Sequence, residues 1–197
     1  MSVEKEHIMT VFDGLQFTDE EISLLKQKLE IEHYKKGSLI IKSGDLVPHM
    51  YFIISGCLRT FYIDDHGKEH TFQFAIKDLW ITDFTAFFKA KKALMNLEVI
   101  QNATVVKLTH KNRLHLINSI PQIHTYTREK LENAYSDLQL RTLSNLSLSA
   151  KKRYLYFIEM HPNFEKEVKN YHIASYLGIT TESLSRIRKE ISKSSVY

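Results

Sequence analysis

The sequence predicts an α+β fold in which short antiparallel strands are followed by one long helix and a compact helical region. Three observations predict it. Apolar and polar residues alternate with the period of a strand between residues 31 and 109. Small and apolar residues then recur every three or four positions from 121 to 146, as in a helix of about seven turns. Finally, two short helical patterns flank a glycine between residues 168 and 191.

The composition is that of a globular protein with one or two domains. Its 197 residues are 43% hydrophobic and 25% charged, which is enough to bury a core. The single cysteine, Cys57, excludes an intrachain disulfide and a metal site built from four cysteines. No apolar run reaches the ~18 residues of a membrane-spanning helix, and the first ten residues lack the segments of a signal peptide. We therefore expect a cytoplasmic protein.

The first helix and the strands have recognisable boundaries. Thr18 and Glu21 form a capping box at the start of a helix near 19–29. Strands are predicted at 30–34, 38–42, 50–55, 58–64, 69–76, 94–101 and 104–109. Turns separate several of them, with Gly56 between the third and fourth and a strong hairpin signal over 64–67. Many short strands at this spacing indicate a small antiparallel barrel or sandwich.

The long helix carries one stripe of apolar and small residues. A short helix over 110–118 precedes it, and Pro121 suits its first turn. The stripe consists of Ile123, Thr127, Leu131, Ala134, Leu138, Thr142 and Asn145. A helix of this length needs a partner for such a stripe. That partner is either another polypeptide or the chain's own strand domain.

The C-terminal region has the pattern of two helices joined by a sharp turn. Gly178 follows the first helix at a position that favours positive φ, and Thr180 is a good N-cap for the second. The apolar faces of the two helices are formed by Ile173, Ala174, Leu177, Leu184, Ile187 and Ile191. This is the helix-turn-helix pattern, whose second helix enters the major groove of DNA. The alternative is an ordinary helical hairpin that binds no nucleic acid.

The net charge of +4 is distributed unevenly along the chain. Residues 149–197 hold nine basic and five acidic side chains, whereas residues 1–148 hold eighteen of each. A basic segment beside a neutral one is expected when only one part of a protein contacts phosphates. Because the excess of positive charge in residues 149–197 is modest, the alternative interpretation is a basic surface that contacts only solvent.

Two stretches of the strand region, 35–45 and 51–69, resemble the cyclic-nucleotide-binding β-roll in the placement of their glycines. With the helix-turn-helix pattern that follows, the chain resembles the Crp/Fnr superfamily of bacterial transcription regulators over nearly its whole length. The resemblance implies a β-roll effector domain at 1–118, a dimerisation helix at 119–146 and a helix-turn-helix domain at 147–197. In most members of the family, a β-hairpin wing follows the second helix. We expect this wing to be truncated or absent in this chain.

The resemblance also assigns DNA-contacting residues, because Glu182, Ser185 and Arg186 match the family pattern E-x-x-S-R. It implies that Arg186 contacts a guanine and that Glu182 accepts a hydrogen bond from a cytosine. Ser185 would touch a thymine or a phosphate, and Thr181 and Lys189 would contact phosphates. The implied partners are a palindromic double-stranded DNA operator, a second copy bound through 121–146 as a parallel coiled-coil-like dimer, a small-molecule effector and RNA polymerase, but no membrane.

The family's effector pocket is altered in this sequence. Cyclic-nucleotide binders use a Glu for the ribose and, about ten residues later, an Arg followed by Ser or Thr for the phosphate. Asp83 aligns with the Glu, while Ala93 and Leu94 replace the phosphate clamp. Lys91 and Lys92 are nearby substitutes or simply loop charges. We therefore expect that cyclic AMP is not used in the usual way and that the effector, if there is one, is another small ligand.

No cofactor or metal ion is expected, because no spacing of His, Cys and carboxylates matches a metal site. The chain also shows no nucleophile–base pair or phosphate-binding loop, so an enzyme is not expected. The second hypothesis for its function is a small-ligand sensor whose helix-turn-helix is only a packing element. Salt-dependent binding to duplex DNA distinguishes the two hypotheses.

Overall fold

The computed structural model describes residues 2–160, 164 and 168–194. Two helices open the chain, α1 at Lys5–Val11 and α2 at Asp19–Lys28. The predicted capping box is confirmed at α2, where the Thr18 hydroxyl accepts from Glu21 N–H and the Glu21 carboxylate accepts from Thr18 N–H. Both helices contribute buried side chains to the core of the strand domain.

An antiparallel β-roll follows, as predicted. Its strands are β1 at Glu30–Tyr34, β2 at Leu39–Ile41, β3 at His49–Ile63, β4 at Glu69–Ala75, β5 at Trp80–Ile81 and β6 at Asn96–Thr109. The order along the sheet is β1-β6-β3-β4, with β2 added to β6 and β5 added to β3. Short helices lie beside it, α3 at Phe84–Lys89 and α4 at His110–Ser119. The predicted hairpin over 64–67 connects β3 to β4.

The prediction that Gly56 ends a strand is wrong. β3 continues through Gly56, and its pairing with β6 shifts register three times between Ile53 and Leu58. Gly56 has a φ of +91°, and a Cβ built there would lie 2.3 Å from the carbonyl oxygen of Asn102. The glycine is therefore a bulge at a close approach of two backbones, and it bends a single long strand. For the same reason β6 is one strand and not two.

The long helix, α5, runs over Pro121–Ser147 and leaves most of its stripe exposed. Two stripe residues are not exposed: Ile123 is buried in the core of the β-roll, and Thr127 is half-buried. The exposed leucines lie in the C-terminal two thirds of the helix, where Leu131 and Leu138 are each 43% exposed. The interpretation that the chain's own strand domain covers the whole stripe is therefore wrong.

Three described helices complete the chain: α6 at Ala150–Met160, α7 at Asn170–Leu177 and α8 at Thr181–Ser194. Gly178 ends α7 with φ 66° and ψ 33°, the left-handed conformation that the sequence predicts. The prediction about a wing concerns the chain after α8, where residues 195–197 lie outside the described residues. No helix in the described ranges is long and apolar enough to cross a membrane.

A second hydrophobic core joins the helical region to the outer face of the β-roll. It combines side chains from two parts of the chain: Cys57, Phe74 and Ile100 from the sheet, and Tyr154, Phe157, Phe164, Val168, Ile173, Ala174, Leu177, Leu184 and Ile187 from the helical region. The ring of Phe74 lies 4.9 Å from that of Phe164 and 5.3 Å from that of Tyr176. The α6–α8 region therefore packs directly against its own β-roll.

Candidate nucleic-acid interface and ligand pocket

The α8 helix has one buried side and one exposed side, as its amphipathic pattern predicts. Leu184 and Ile187 are 1% and 6% exposed and pack into the second core. At the N-terminus, the Thr180 hydroxyl accepts a hydrogen bond from Ser183 N–H at 3.2 Å, which confirms Thr180 as the N-cap. The helix is therefore held by its apolar side and its first turn, and its polar side faces away from the core.

The five residues proposed from the sequence to contact DNA lie together on this polar side. All five are exposed and lie side by side on one open surface: Thr181, Glu182, Ser185, Arg186 and Lys189. Their spacing places them on adjacent turns of one helix face. An exposed face that combines hydrogen-bond donors, an acceptor and two cations has the chemistry needed to contact base edges and phosphates.

Glu182 is held as an ionised hydrogen-bond acceptor at the start of α8. Hydrogen bonds from its own backbone N–H and from the hydroxyls of Thr180 and Thr181 lower the pKa of the Glu182 carboxyl. The Thr181 hydroxyl lies 3.0 Å from Glu182 Oε1. In the free protein this hydroxyl is therefore engaged with Glu182, and a phosphate contact by Thr181 requires it to turn away.

Arg188 positions α8, a role that sequence analysis did not assign. Its Nε donates to the Tyr154 hydroxyl of α6 at 3.2 Å, and its Nη1 donates to Asn170 Oδ1 of α7 at 2.7 Å. One side chain thus connects all three helices of the region. The only sequence signal was its position beside buried Ile187, where a long polar side chain can reach a neighbouring helix.

The exposed face of α5 is a second candidate surface. Leu131, Tyr135, Leu138 and Leu146 lie along one side of the helix at spacings of four, three and eight residues, and Tyr135 is 70% exposed. The spacing of four and three between Leu131, Tyr135 and Leu138 is that of a coiled-coil seam, and Leu146 lies one position beyond the next heptad place on the same side. On a flanking side of α5, three residues after Leu138, the Arg141 guanidinium stacks 4.0 Å from the Tyr176 ring centroid and donates to the Phe72 carbonyl oxygen. The helix therefore contacts its own chain with one side and presents apolar side chains on another.

The predicted ligand-pocket residues meet around α3, but Asp83 is already bound within the chain. Asp83 as a whole residue is 1% exposed. Oδ1 accepts from Ala86 N–H at 3.0 Å, and Oδ2 accepts from Leu94 N–H at 2.7 Å and Met95 N–H at 3.1 Å. The other predicted residues differ widely in burial: Ala93 is 3% exposed and Leu94 is 61% exposed, while Lys91 and Lys92 are both exposed.

Comparison with known proteins agrees with this architecture. The cyclic nucleotide-binding domain family matches residues 31–119. The anaerobic regulatory protein of Pasteurella multocida is 22% identical over 195 residues, which cover 90% of this chain and 67% of that protein. As a whole, the chain is similar to Crp/Fnr regulators, whose solved structures share its architecture. Its α+β architecture is the Crp/Fnr fold.

Solved structures share the Crp/Fnr fold at low sequence identity. The c-di-GMP-responsive global regulator CLP of Xanthomonas campestris superposes with a TM-score of 0.71 at 14% identity, covering 91% of this chain and 94% of that one. FixK2 of Bradyrhizobium japonicum superposes with a TM-score of 0.74 at 14% identity, covering 85% and 86%. A Crp/Fnr-family regulator from Eubacterium rectale superposes with a TM-score of 0.69 at 18% identity, covering 90% of this chain and 85% of that one.

The residues at the nucleotide-binding positions of this chain differ from the pattern that the family resemblance implies. Ala93 has no cationic group for a phosphate, and Leu94 has no hydroxyl. Asp83, which aligns with the ribose-binding Glu, uses both carboxylate oxygens on backbone N–H groups. The residues that would recognise the sugar and the phosphate are therefore either substituted or engaged elsewhere.

Proposed function

We propose that this protein is a homodimeric, sequence-specific DNA-binding transcription regulator of the Crp/Fnr type, whose recognition helix is α8. The observation that carries the proposal is the division of α8 into two sides. The side with Leu184 and Ile187 is buried, while the side with Glu182, Ser185 and Arg186 stays exposed although the whole region packs on the β-roll. A helix held in this way can enter a major groove without first leaving its core.

Each exposed side chain has a proposed role. Arg186 donates to O6 and N7 of a guanine, and Glu182, ionised because its pKa is lowered, accepts from N4 of a cytosine. Ser185 contacts a thymine or a phosphate, and Thr181 and Lys189 contact phosphates, which position the helix without specifying sequence.

The dimer is proposed to form through the exposed seam of α5. Burial of Leu131, Tyr135, Leu138 and Leu146 against the same side chains of a second copy would remove apolar surface that the single chain leaves in water. Two recognition helices related by a twofold axis then require a palindromic operator with half-sites about 34 Å apart. RNA polymerase stays a predicted partner that the resemblance alone implies.

The test is selection of bound sequences from random duplex DNA by the full chain. We expect enrichment of an inverted repeat whose half-sites lie about one helical turn apart. Binding should weaken as salt rises, because Lys and Arg contacts release counterions from DNA. Failure to enrich any sequence, together with no salt-dependent binding to duplex DNA, would contradict the proposal and favour the sensor hypothesis.

A further inference from the structure

We propose that two arginines, Arg141 of α5 and Arg153 of α6, set the spacing between the two half-sites that the dimer recognises. Both contact the last turn of α7, from which the chain passes through Gly178 into α8. The inference rests on the proposed DNA-binding function and assigns two positioning residues to it. Neither arginine lies on α8 itself.

The covalent connection between α5 and α6 does not by itself fix the direction of α8. Two residues, Leu148 and Ser149, separate these helices, and the backbone of Leu148 is extended, with φ −101° and ψ 145°. Rotation about so short a linker changes the direction of the whole α6–α8 region relative to α5. Contacts across the linker must therefore hold that direction.

Arg153 connects the C-terminal ends of two helices. Its Nη1 donates to the Leu148 carbonyl oxygen at the end of α5 at 2.8 Å, and its Nη2 donates to the Leu177 carbonyl oxygen at the end of α7 at 3.1 Å. The last carbonyl groups of a helix have no partner within the helix and carry partial negative charge. Because the donors of a guanidinium form a rigid planar fork, one side chain satisfies both ends and fixes their separation.

Arg141 holds the neighbouring residue of α7 from α5. Its guanidinium stacks 4.0 Å from the ring centroid of Tyr176 and donates to the carbonyl oxygens of Phe72 and Thr71 in β4. The attraction between a guanidinium and an aromatic face is stronger when both are removed from water. The contacts of the two arginines, which we call the α7 joint, therefore connect α5, α6 and β4 to one turn of α7.

The α7 joint fixes α8 relative to the helix of the proposed dimer. In a twofold dimer through α5, the distance between the two copies of α8 follows from the angle between α5 and α8 within each chain. Each base pair added between the half-sites moves one of them by about 3.4 Å along the DNA axis and turns it by about 35°. A rigid joint therefore selects one spacing, whereas a loosened joint accepts several.

The experiment measures binding to the selected operator and to versions with one base pair added to or removed from its centre. The native chain should bind the altered spacings about tenfold more weakly, because only one spacing matches both copies of α8. In Arg153→Met and in Arg141→Met, this spacing ratio should fall to about threefold or less, since methionine keeps an apolar side chain but removes the donors.

A duplex with a single half-site distinguishes positioning from a loss of folding. Arg153→Met and Arg141→Met should bind this duplex within about twofold of the native chain, because the exposed side of α8 and its buried side are unchanged. A variant that is merely destabilised would lose affinity for the single half-site and for every spacing alike.

The matched control is Lys151→Met, which removes a cation from α6 but breaks only an ion pair with Glu190 of α8 at 3.8 Å. Its spacing ratio should equal that of the native chain. Native ratios in both arginine variants would overturn the inference, and so would a native chain that binds all three spacings equally. If either Arg153→Met or Arg141→Met does not fold, the other decides, since each removes one half of the same joint.

A measurement without DNA separates this inference from the proposed function. Spin labels are attached to exposed positions of α5 and α8 through Glu129→Cys and Ser192→Cys, and Cys57→Ala removes the native thiol. Labelled chains are diluted with unlabelled ones, so that the measured distances lie within one chain. The distance distribution should broaden in Arg153→Met and stay native in Lys151→Met.

An unchanged distance distribution in Arg153→Met would overturn the α7 joint, whatever the chain binds. If no operator is selected from random duplex DNA, the proposed function fails, whereas the distances between the spin labels still decide whether the arginines hold α8 relative to α5.

Discussion

The hydroxyl of Ser175 in α7 donates a hydrogen bond to the Glu69 carbonyl oxygen of β4 at 2.8 Å and accepts one from Thr71 N–H at the same distance. β4 ends the main path of the sheet, and among the described strands it pairs with β3 alone. Arg141 of α5 donates to the Phe72 and Thr71 carbonyl oxygens beside it. Helices α5 and α7 therefore satisfy backbone groups that an edge strand would otherwise expose.

Replacing Ser175 with alanine should loosen the helical region from the β-roll. The change leaves the buried Thr71 N–H and the Glu69 carbonyl without this partner, which costs about 1–3 kcal/mol of stability. The thiol of Cys57, 1% exposed in the shared core, reports the loss directly. We expect faster labelling of Cys57 by a thiol reagent in Ser175→Ala.

The control is Ser192→Ala on α8, whose hydroxyl donates to the Lys189 carbonyl oxygen within the same helix. Its Cys57 labelling rate should equal that of the native chain. Equal rates in Ser175→Ala and the native chain would show that the hydrogen bonds to β4 do not hold the two parts together.

His172 makes the same interface sensitive to acid. Burial, together with the charges of Arg59, Lys169 and Lys36, lowers the pKa of His172 from 6.5 to about 3. The unfolded chain therefore binds one more proton than the folded chain between these pH values, so stability falls as pH falls below 6.5. The slope approaches about 1.4 kcal/mol per pH unit.

The His172→Gln variant lacks this pH-dependent contribution to the free energy of unfolding. Between about pH 7.5 and 5.5, urea unfolding should show that the native chain loses about 1.4 kcal/mol more than the variant. His66→Gln, at an exposed histidine, should keep the native pH dependence. Parallel stability curves for the native chain and His172→Gln would contradict the assignment.

The proposed dimer predicts a difference between two leucines of the same helix. Leu138 lies on the seam with Leu131 and Tyr135, whereas Leu140, 49% exposed, lies two residues later and so on the opposite side. Leu138→Glu should convert the dimer to monomer in sedimentation equilibrium, because it places two like charges across the seam. Leu140→Glu should stay dimeric. If both variants stay dimeric, or if both become monomeric, the proposed dimer seam is wrong.

Local sequence patterns predicted the helices and strands well. Contacts between residues far apart in the chain determined the bulge at Gly56 and the burial of individual side chains. β1 begins and ends at the predicted residues, and Gly178 adopts its predicted conformation. Gly56 was misassigned because positive φ suits both a turn and a bulge, and only the approach of Asn102 distinguishes them. Periodicity likewise placed Ile123 on the α5 stripe, but it does not reveal which partner buries each residue.

The residues of the predicted ligand pocket show the same limit of prediction from sequence. Sequence comparison located Asp83 and the altered clamp, yet the hydrogen bonds that engage Asp83 come from Leu94 and Met95, eleven and twelve residues away. No local pattern encodes such a contact. By contrast, the five exposed residues of α8 were predictable, since their placement needs only the helical period and the choice of buried face.

The sharpest test of the recognition helix compares Arg186 with Lys189, two cations of the same exposed surface. Arg186→Ala should cost about 1–3 kcal/mol on the selected operator and relax the preference at one base pair, since it removes a bidentate contact to guanine. Lys189→Ala should instead weaken binding to operator and random DNA alike and reduce the salt slope by about one. Competition titrations at several salt concentrations measure both effects. An equal loss on operator and random DNA in Arg186→Ala would place Arg186 on the phosphate backbone and not on a base.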